Sequence, residues 1–580
     1  MAKLLKYMKG YRKECILSPL FKMLEAFFEL LVPFVVAYII DTAIPAGKNG
    51  DTSHIVISCL IMAGLGAIGL TCTIFAQYFA AKAAVGFTSK IKHSLFEHIT
   101  SLSYTEIDTL GTSTLITRMT SDANQVQTGV NLTLRLFMRS PVIVFGAMIM
   151  GFVVDKEAKA ALVFVGAIPL LAIVVFGIMC ATIPLYKKVQ ARLDGVLGSA
   201  RENLTGIRVI RAFGLENDEQ RKFKTKTEGL NKAQKFVGAI SAVMNPLTYA
   251  IVNIAIVVLL YVGNTQVNTD PSSLTTGQLV ALYNYMSQIL IELIKLANLI
   301  ITITKALASA NRIEAVFEIK SSQEIMALEG GDPQYAVEFR NAYLRYASSP
   351  EYSLENIDFT VSKGETVGII GGTGSGKTSL INMIGRFYDA EKGEVFVNGK
   401  NVKSYELDDL REKIGMTPQR AVLFKGTLRD NLQWGDKTAS DEEIIKAIEI
   451  AQAKDVLDSK EGGLDFVVEQ GGKNLSGGQR QRFTIARALV GKPEIIVLDD
   501  SSSALDYLTD LRLRTAIAGI DYKPTVFIVS QRTASIQNAD KIIVLDDGKI
   551  VGMGVHKELL GSCPVYAEIY ASQFKKGGEE

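Results

Sequence analysis

Apolar residues crowd the chain before about residue 305 and thin out beyond it. Six runs there approach the roughly 20 residues that an α-helix needs to cross a bilayer. They lie at about 16–40, 55–81, 134–154, 159–182, 237–263 and 278–304. The run Ile55–Ala80 has few polar side chains and no charged one, a pattern hard to explain as the buried helix of a water-soluble protein. Two long polar segments, about 82–133 and 183–236, separate the second run from the third and the fourth from the fifth. Both read as charged amphipathic helix folded into hairpins. Half of such a hairpin, at about 1.5 Å per residue, carries helix close to 40 Å beyond the membrane. Short connecting helices are expected at the tips, near Tyr104–Leu110 and Leu215–Gln220.

Beyond the charged stretch Glu318–Pro333 the periodicity changes. Short β-branched runs alternate with helical patterns: Thr366–Ile370, Val395–Val397, Ile495–Leu498, Thr525–Val529 and Lys541–Leu545. That alternation predicts an α/β domain around a mostly parallel sheet. The tail Lys575–Glu580 reads as disordered. Two domains are therefore expected: residues 1–318, all-α with six transmembrane helices and two long cytoplasmic loops, and residues 334–580, α/β.

Charge orients the first domain. The N-terminus is basic (Lys3, Lys6, Lys9, Arg12, Lys13), and so is Tyr186–Lys235, whereas Asn264–Gly277 carries no Lys or Arg. The positive-inside bias places both termini and both long loops in the cytoplasm. The stretch Leu4–Tyr11 reads as a helix lying along the inner leaflet. Net charge over the 580 residues is only +2, so no electrostatic case exists for nucleic acid as a partner. Five scattered cysteines, without CxxC or Cys/His spacing, argue against a disulfide framework or a zinc site. No short apolar core with a small-residue cleavage site follows the basic start, so no cleavable signal is read.

Candidate chemistry is concentrated in the second domain. Gly371-Gly372-Thr373-Gly374-Ser375-Gly376-Lys377-Thr378 fits G-x-x-x-x-G-K-[ST], between a predicted strand and a helical run that opens at Ser379. Glycines there let backbone N–H groups converge on phosphate oxygens at a helix N-terminus. Lys377 is placed to reach the β/γ-phosphates and the Thr378 hydroxyl to ligate Mg²⁺. The apolar strand ending at Asp499 supplies a second carboxylate near the ion. ATP and Mg²⁺ are thus the expected cofactors.

Leu475-Ser476-Gly477-Gly478-Gln479, between those two motifs, resembles the signature of the ATP-binding-cassette family, and the likeness extends over nearly the whole chain to the half-transporter exporters. The resemblance implies six transmembrane helices fused to one cassette, and two cassettes closing head to tail. Ser476, Gly477, Gly478 and Gln479 would then hold the γ-phosphate bound by a partner chain. It further implies that Tyr346 stacks on adenine and that Gln419 senses Mg²⁺ and the attacking water. Ser503-Ala504-Leu505-Asp506 would couple the two sites, and Glu469-Gln470-Gly471 would touch the membrane arms.

Two positions depart from the family pattern. Asp500 stands where a catalytic glutamate is expected, and Gln531, after Ser530, where a histidine contacts the γ-phosphate. Aspartate retracts the carboxylate by about 1.5 Å, and a misplacement of about 1 Å can cost on the order of 100-fold in rate. Glutamine cannot become a cation near neutral pH. Together they resemble the degenerate-site subunit of bacterial heterodimeric multidrug exporters, which implies a second, non-identical half-transporter as partner and a site in the bacterial cytoplasmic membrane. A slow but competent homodimer is the alternative.

The expected activity is ATP-driven efflux of hydrophobic or amphipathic compounds. A lipid, peptide or haem exporter with the same engine, or an ATP-gated channel, stands as the alternative; no regulatory insertion favours gating. Within the spans, Lys22, Glu25 and Glu29 share one helix face, and Glu292 and Lys295 form an i, i+3 pair. Either they line a cavity for amphipathic cations or they lock helices together. Lys22 has the further option of snorkelling to the cytoplasm.

Overall fold

In the computed structural model, residues 2–48, 51–347 and 349–574 are described; the expectation for the tail Lys575–Glu580 lies outside them. Two compact units emerge, Met1–Thr100 with Ser113–Glu318, and Ser101–Thr112 with Ile319–Glu580.

The first unit is helical. Among the described residues six helices are long and apolar enough to cross a membrane: Lys3–Lys48, Ser53–Ser101, Thr112–Val154, Leu162–Thr205, Glu216–Thr269 and Thr276–Glu318. Each contains one of the six apolar runs, except that the fourth helix begins at Leu162, three residues into the run 159–182. Their outer faces leave Leu60, Ile173, Val257 and Tyr261 exposed. Such apolar surface requires lipid or another subunit as its surroundings. Inward, Leu30, Val144, Phe164, Leu259, Leu282, Tyr285 and Ile289 form the core. The Tyr285 hydroxyl satisfies itself on the Leu30 carbonyl at 2.7 Å. The third and sixth helices approach so closely that a Cβ at Gly129 would stand 2.2 Å from Ala306 Cβ. Small residues on both helices, just beyond their apolar runs, permit that contact.

The fourth and fifth helices, of 44 and 54 residues, extend about 66 and 81 Å at 1.5 Å per residue, more than twice a bilayer core. Beyond their apolar runs they pack through Val189, Val196, Leu230 and Val237, which makes them the arm read from residues 183–236. The connecting helix at its tip is Ile207–Ala212, not Leu215–Gln220. Gly206 and Gly214 (φ +62°) interrupt the backbone on either side of it. Glu216, Asp218 and Glu219 instead open the fifth helix, where acidic side chains favour an N-terminus. At the N-terminus Ala2–Tyr11 forms a 3₁₀ helix.

The second unit holds two main sheets. One is antiparallel, with strands in the order Leu354–Ser362, Tyr335–Leu344, Lys392–Val397, Lys400–Asn401. The other has six strands: Lys549–Gly554, Lys541–Asp546, Thr366–Gly371, Thr525–Val529, Ile495–Asp499, Ile414–Thr417. All neighbours in it are parallel except the Lys541–Asp546/Lys549–Gly554 pair. Buried on both faces, its central strands read as unbroken apolar runs, which is why the sequence disclosed them. Tyr335–Leu344 was not legible as a strand, because a register shift between Arg340 and Tyr343, next to Asn341 at φ +44°, breaks its alternation.

Ser101–Thr112, drawn from the first long loop, belongs to this second unit. Its helix Tyr104–Leu110, where the sequence placed a connecting helix, is capped reciprocally by Ser103 and Glu106. The Tyr104 ring packs 5.0 Å from that of Phe387.

Candidate active site

Four adjacent parallel strands deliver the candidate residues along one edge of the sheet, at the carboxyl ends where ligands of open α/β sheets bind. Thr366–Gly371 leads into the phosphate loop, Thr525–Val529 into Ser530 and Gln531, Ile495–Asp499 into Asp500, and Ile414–Thr417 into Gln419. They converge on an open cleft of about 460 Å³. Tyr346, Thr373, Gly374, Gly376, Lys377, Thr378, Ser379, Gln419, Asp499, Asp500 and Gln531 all line it.

Gly371, Gly372 and Ser375 belong to the same loop without lining the cleft. Lys377 Nζ donates to the Gly371 and Gly372 carbonyls at 3.0 and 2.6 Å, which folds the loop around the ammonium. A Cβ at Gly371 would lie 2.1 Å from the Leu545 carbonyl oxygen, so no other residue fits there. Gly376, at φ +96°, caps the helix Lys377–Ile384, whose first residues Lys377, Thr378 and Ser379 line the cleft. Burial pushes the Lys377 ammonium below its ordinary value, and Asp500 and Asp499 oppose that shift.

The Thr378 hydroxyl donates to Asp499, 3.2 and 3.1 Å from its two oxygens. Asp499 is buried, which raises its pKa; the Thr378 bond and Lys377 pull the other way, and Asp500 adds to the rise. Among the described residues no group of three or more His, Cys, Asp or Glu forms a metal cage. A hydroxyl, a carboxylate and the Gln419 amide are hard oxygen donors too few to hold an ion alone. That donor set fits Mg²⁺, which characteristically arrives with phosphate oxygens and waters completing its shell.

Asp500 takes a left-handed backbone (φ +46°), a conformation Asp tolerates better than most residues. Gln419 Nε2 lies 3.5 Å from its Oδ2. The Gln531 side chain is exposed at the rim, while its carbonyl accepts from Gln573 Nε2 at 2.6 Å. No imidazole therefore faces the cleft from this strand. Tyr346 is half-buried, its hydroxyl 2.8 Å from Ser379 Oγ and its ring edge-on to Tyr388 at 4.9 Å.

Ser476, Gly477, Gly478 and Gln479 do not line the cleft. They open the helix Gly477–Val490, where Ser476 Oγ accepts from Gln479 N–H at 3.3 Å and Gln479 Oε1 from Ser476 N–H at 2.9 Å. Ser476 and Gly477 are exposed, presenting a helix N-terminus outward. Asp506 caps the next helix by accepting from Thr509 N–H at 2.9 Å.

Sequence reasoning missed two contributors. Tyr388 sits behind Tyr346 with no motif to mark it. Arg139 stood in plain view as an arginine inside an apolar run. In the first unit Arg139 Nη1 meets Glu292 Oε1 at 2.5 Å, Nη2 meets Glu29 Oε2 at 2.7 Å, and Nε lies 3.7 Å from Glu25 Oε1. Lys22 pairs with Glu25 at 2.5 Å, Lys295 with Glu292 at 2.8 Å, and Ser140 donates to Glu292 at 2.9 Å. The intramembrane charges thus lock the first, third and sixth helices to one another, and Lys22 is buried rather than snorkelling.

Residues 15–293 match the family described as ABC transporter transmembrane region, and residues 354–503 the family described as ABC transporter. An ABC transporter ATP-binding protein of Mycobacterium tuberculosis (strain ATCC 25618 / H37Rv) is 33% identical over 584 residues, covering 99% of this chain and 98% of that one. An ATP-dependent lipid A-core flippase of Pasteurella multocida (strain Pm70) is 28% identical over 484 residues, 83% of each chain. The structure of a bacterial Atm1-family ABC exporter with ATP bound superposes with a TM-score of 0.79, at 22% identity, over 98% of this chain and 99% of that one. The chain belongs to the ABC transporter family. It is a multi-pass membrane protein with six transmembrane helices and an ATP-binding cassette in one polypeptide, an ATP-hydrolysing transporter with the fold of an ABC exporter.

Proposed function

We propose that this chain is one half of a heterodimeric exporter that expels hydrophobic or amphipathic compounds across a bacterial cytoplasmic membrane, with residues 1–318 as its membrane domain and 334–580 as its cassette. The observation that carries the reading is the pairing, in one cleft, of a complete phosphate loop with Asp500 and Gln531. Such a site binds nucleotide well and hydrolyses it poorly.

In this reading Tyr346 stacks on adenine. The amides of Gly372, Thr373, Gly374, Ser375 and Gly376, with Lys377 and Ser379, hold the phosphates. Thr378, Asp499 and Gln419 hold Mg²⁺, which when bound neutralises charge on the phosphate oxygens. Asp500 is the retracted counterpart of the group that positions water, and Gln531 donates a neutral hydrogen bond. The outward-facing Ser476–Gln479 helix start completes the partner's site instead, where its N–H groups and the Ser476 hydroxyl stabilise γ-phosphate charge as turnover proceeds. Working hydrolysis therefore takes place on the partner's phosphate loop and this chain's signature.

A lipid exporter with the same engine is the second reading, favoured by the likeness to the lipid A-core flippase. ATP-dependent flux of fluorescent amphiphiles into inside-out vesicles, from cells expressing this chain with and without a second half-transporter, tests the proposal. Flux is expected only when both are present. Full flux with this chain alone would establish a homodimer.

A further inference from the structure

The six charges clamped around Arg139 balance: three cations, Lys22, Arg139 and Lys295, against three carboxylates, Glu25, Glu29 and Glu292. Their burial does not balance. Arg139 and Glu292 have side chains only 9% and 3% exposed, and Lys22 7%, whereas Glu29 is 41% and Lys295 42% exposed. The network is a sealed neutral core with two open ends of opposite sign. Both ends lie well inside apolar runs, Glu29 in 16–40 and Lys295 in 278–304.

Half-exposed charges at that depth are costly against lipid, so they face water or a polar ligand. The core also has an unused donor. Arg139 Nε is buried without a hydrogen-bond partner, its nearest carboxylate oxygen too distant at 3.7 Å. Three helices therefore join around an arginine with one donor unused, with an exposed ammonium at one end of the network and an exposed carboxylate at the other.

We propose that Glu29 and Lys295 are the two poles of a binding site for a zwitterionic head group, an ammonium and an anionic oxygen on one amphiphile. This rests on the exporter reading and names its substrate class. The ligand's ammonium binds Glu29, its anionic oxygen binds Lys295, and the Arg139–Glu292 pair links the two from behind. A zwitterion leaves the net charge of the network at zero, while a purely cationic or anionic ligand leaves the site with one unit of net charge inside the apolar span. The requirement for an apolar body follows from the depth of the site.

The test is equilibrium binding to the full transporter, co-purified with its partner, in phosphatidylglycerol nanodiscs without nucleotide. Radiolabelled lysophosphatidylethanolamine is the zwitterionic probe, beside an alkyl sulfate and an alkyltrimethylammonium of equal chain length. The zwitterion is expected to bind roughly tenfold more tightly than either singly charged probe. Glu29→Gln should cost the zwitterion and the cation about tenfold and spare the anion; Lys295→Gln should do the reverse for the singly charged probes, with rescue by Lys295→Arg. Both variants alter the exposed ends and leave the Arg139–Glu292 core, and rescue separates lost recognition from misfolding. Competition by glycerophosphoethanolamine would assign a free head group as ligand, and competition only by chain-bearing forms a lipid. Equal affinity for all head groups, no binding, or variants that shift every probe alike would overturn the proposal. Loss of flux in vesicles with head-group selectivity intact would instead refute the exporter reading alone.

Discussion

The Tyr388 hydroxyl donates to Asp108 Oδ2 at 2.5 Å, joining residues 280 positions apart within one unit. Asp108 lies on the short helix drawn from the first cytoplasmic loop, and the Tyr388 ring meets Tyr346 at the mouth of the nucleotide cleft. The short helix, Tyr388, Tyr346 and Ser379 thus form one contiguous path. Tyr388→Phe keeps the ring and removes the bond. Substrate-stimulated ATPase should fall by up to about fivefold, since the lost bond at this half-buried tyrosine contributes about 1 kcal/mol, while ATP affinity should change less because neither Tyr388 nor Asp108 lines the cleft. Unchanged stimulation would show that the path carries no coupling.

The same phenol has a pH signature. Burial first, then the Asp108 hydrogen bond, holds its pKa above the ordinary 10. The folded state therefore keeps a proton that the unfolded chain loses, so this contribution to stability is whole below pH 10 and declines as pH rises beyond it. Chemical denaturation between pH 8 and about 11 should show a decline that Tyr388→Phe lessens.

Two substitutions in this one chain should differ in severity. Ser476→Arg puts bulk and a fixed cation at the exposed helix start, and in the heterodimer turnover should fall about 100-fold or more. Lys377→Ala acts in the cleft beside Asp500; if, as proposed, nucleotide is held there rather than consumed, the change should cost less than roughly tenfold, chiefly as weaker binding at this site. ATPase assays on each mutant paired with wild-type partner decide between them. Equal, complete loss in both would refute the division of labour.

Asp500→Glu with Gln531→His should raise single-turnover hydrolysis in a complex whose partner site is disabled. The gain should stop short of full activity. Glu restores reach and His the possibility of a cation, but Glu suits the left-handed backbone of position 500 less well than Asp. No gain at all would place the defect outside these two residues.

How much of this was legible in the sequence depended on whether a signal was local. Six apolar runs, the phosphate loop and the buried parallel strands are consecutive residues whose character follows from burial on every side. Tyr388 and Arg139 were not legible as site residues, because their partners lie on other elements and only folding brings them together. The tip of the second arm was misplaced by about eight residues, because Leu215–Gln220 has helical composition and the break is made by Gly206 and Gly214 on the near side of it.

Arg139→Ala tests the membrane lock. Glu292 would stay buried with Lys295 and Ser140 alone, and Glu29 would lose its cation. Removing one partner of a buried pair costs roughly 3–5 kcal/mol. The thermal midpoint of the detergent-solubilised complex should drop by several degrees, and Arg139→Lys should recover part of it. An unchanged midpoint would mean that water already bathes the cluster.

The contact of Gly129 with Ala306 leaves no clearance for even one methyl group. Two helices meshed that tightly cannot slide lengthwise past each other by a turn without first being prised apart. The third and sixth helices therefore behave as one plank with no slip plane between them. Whatever opens the transporter to either side must find its play elsewhere in the bundle. A bulkier residue at position 129 would act as a wedge, jamming the mechanism without touching either nucleotide or cargo.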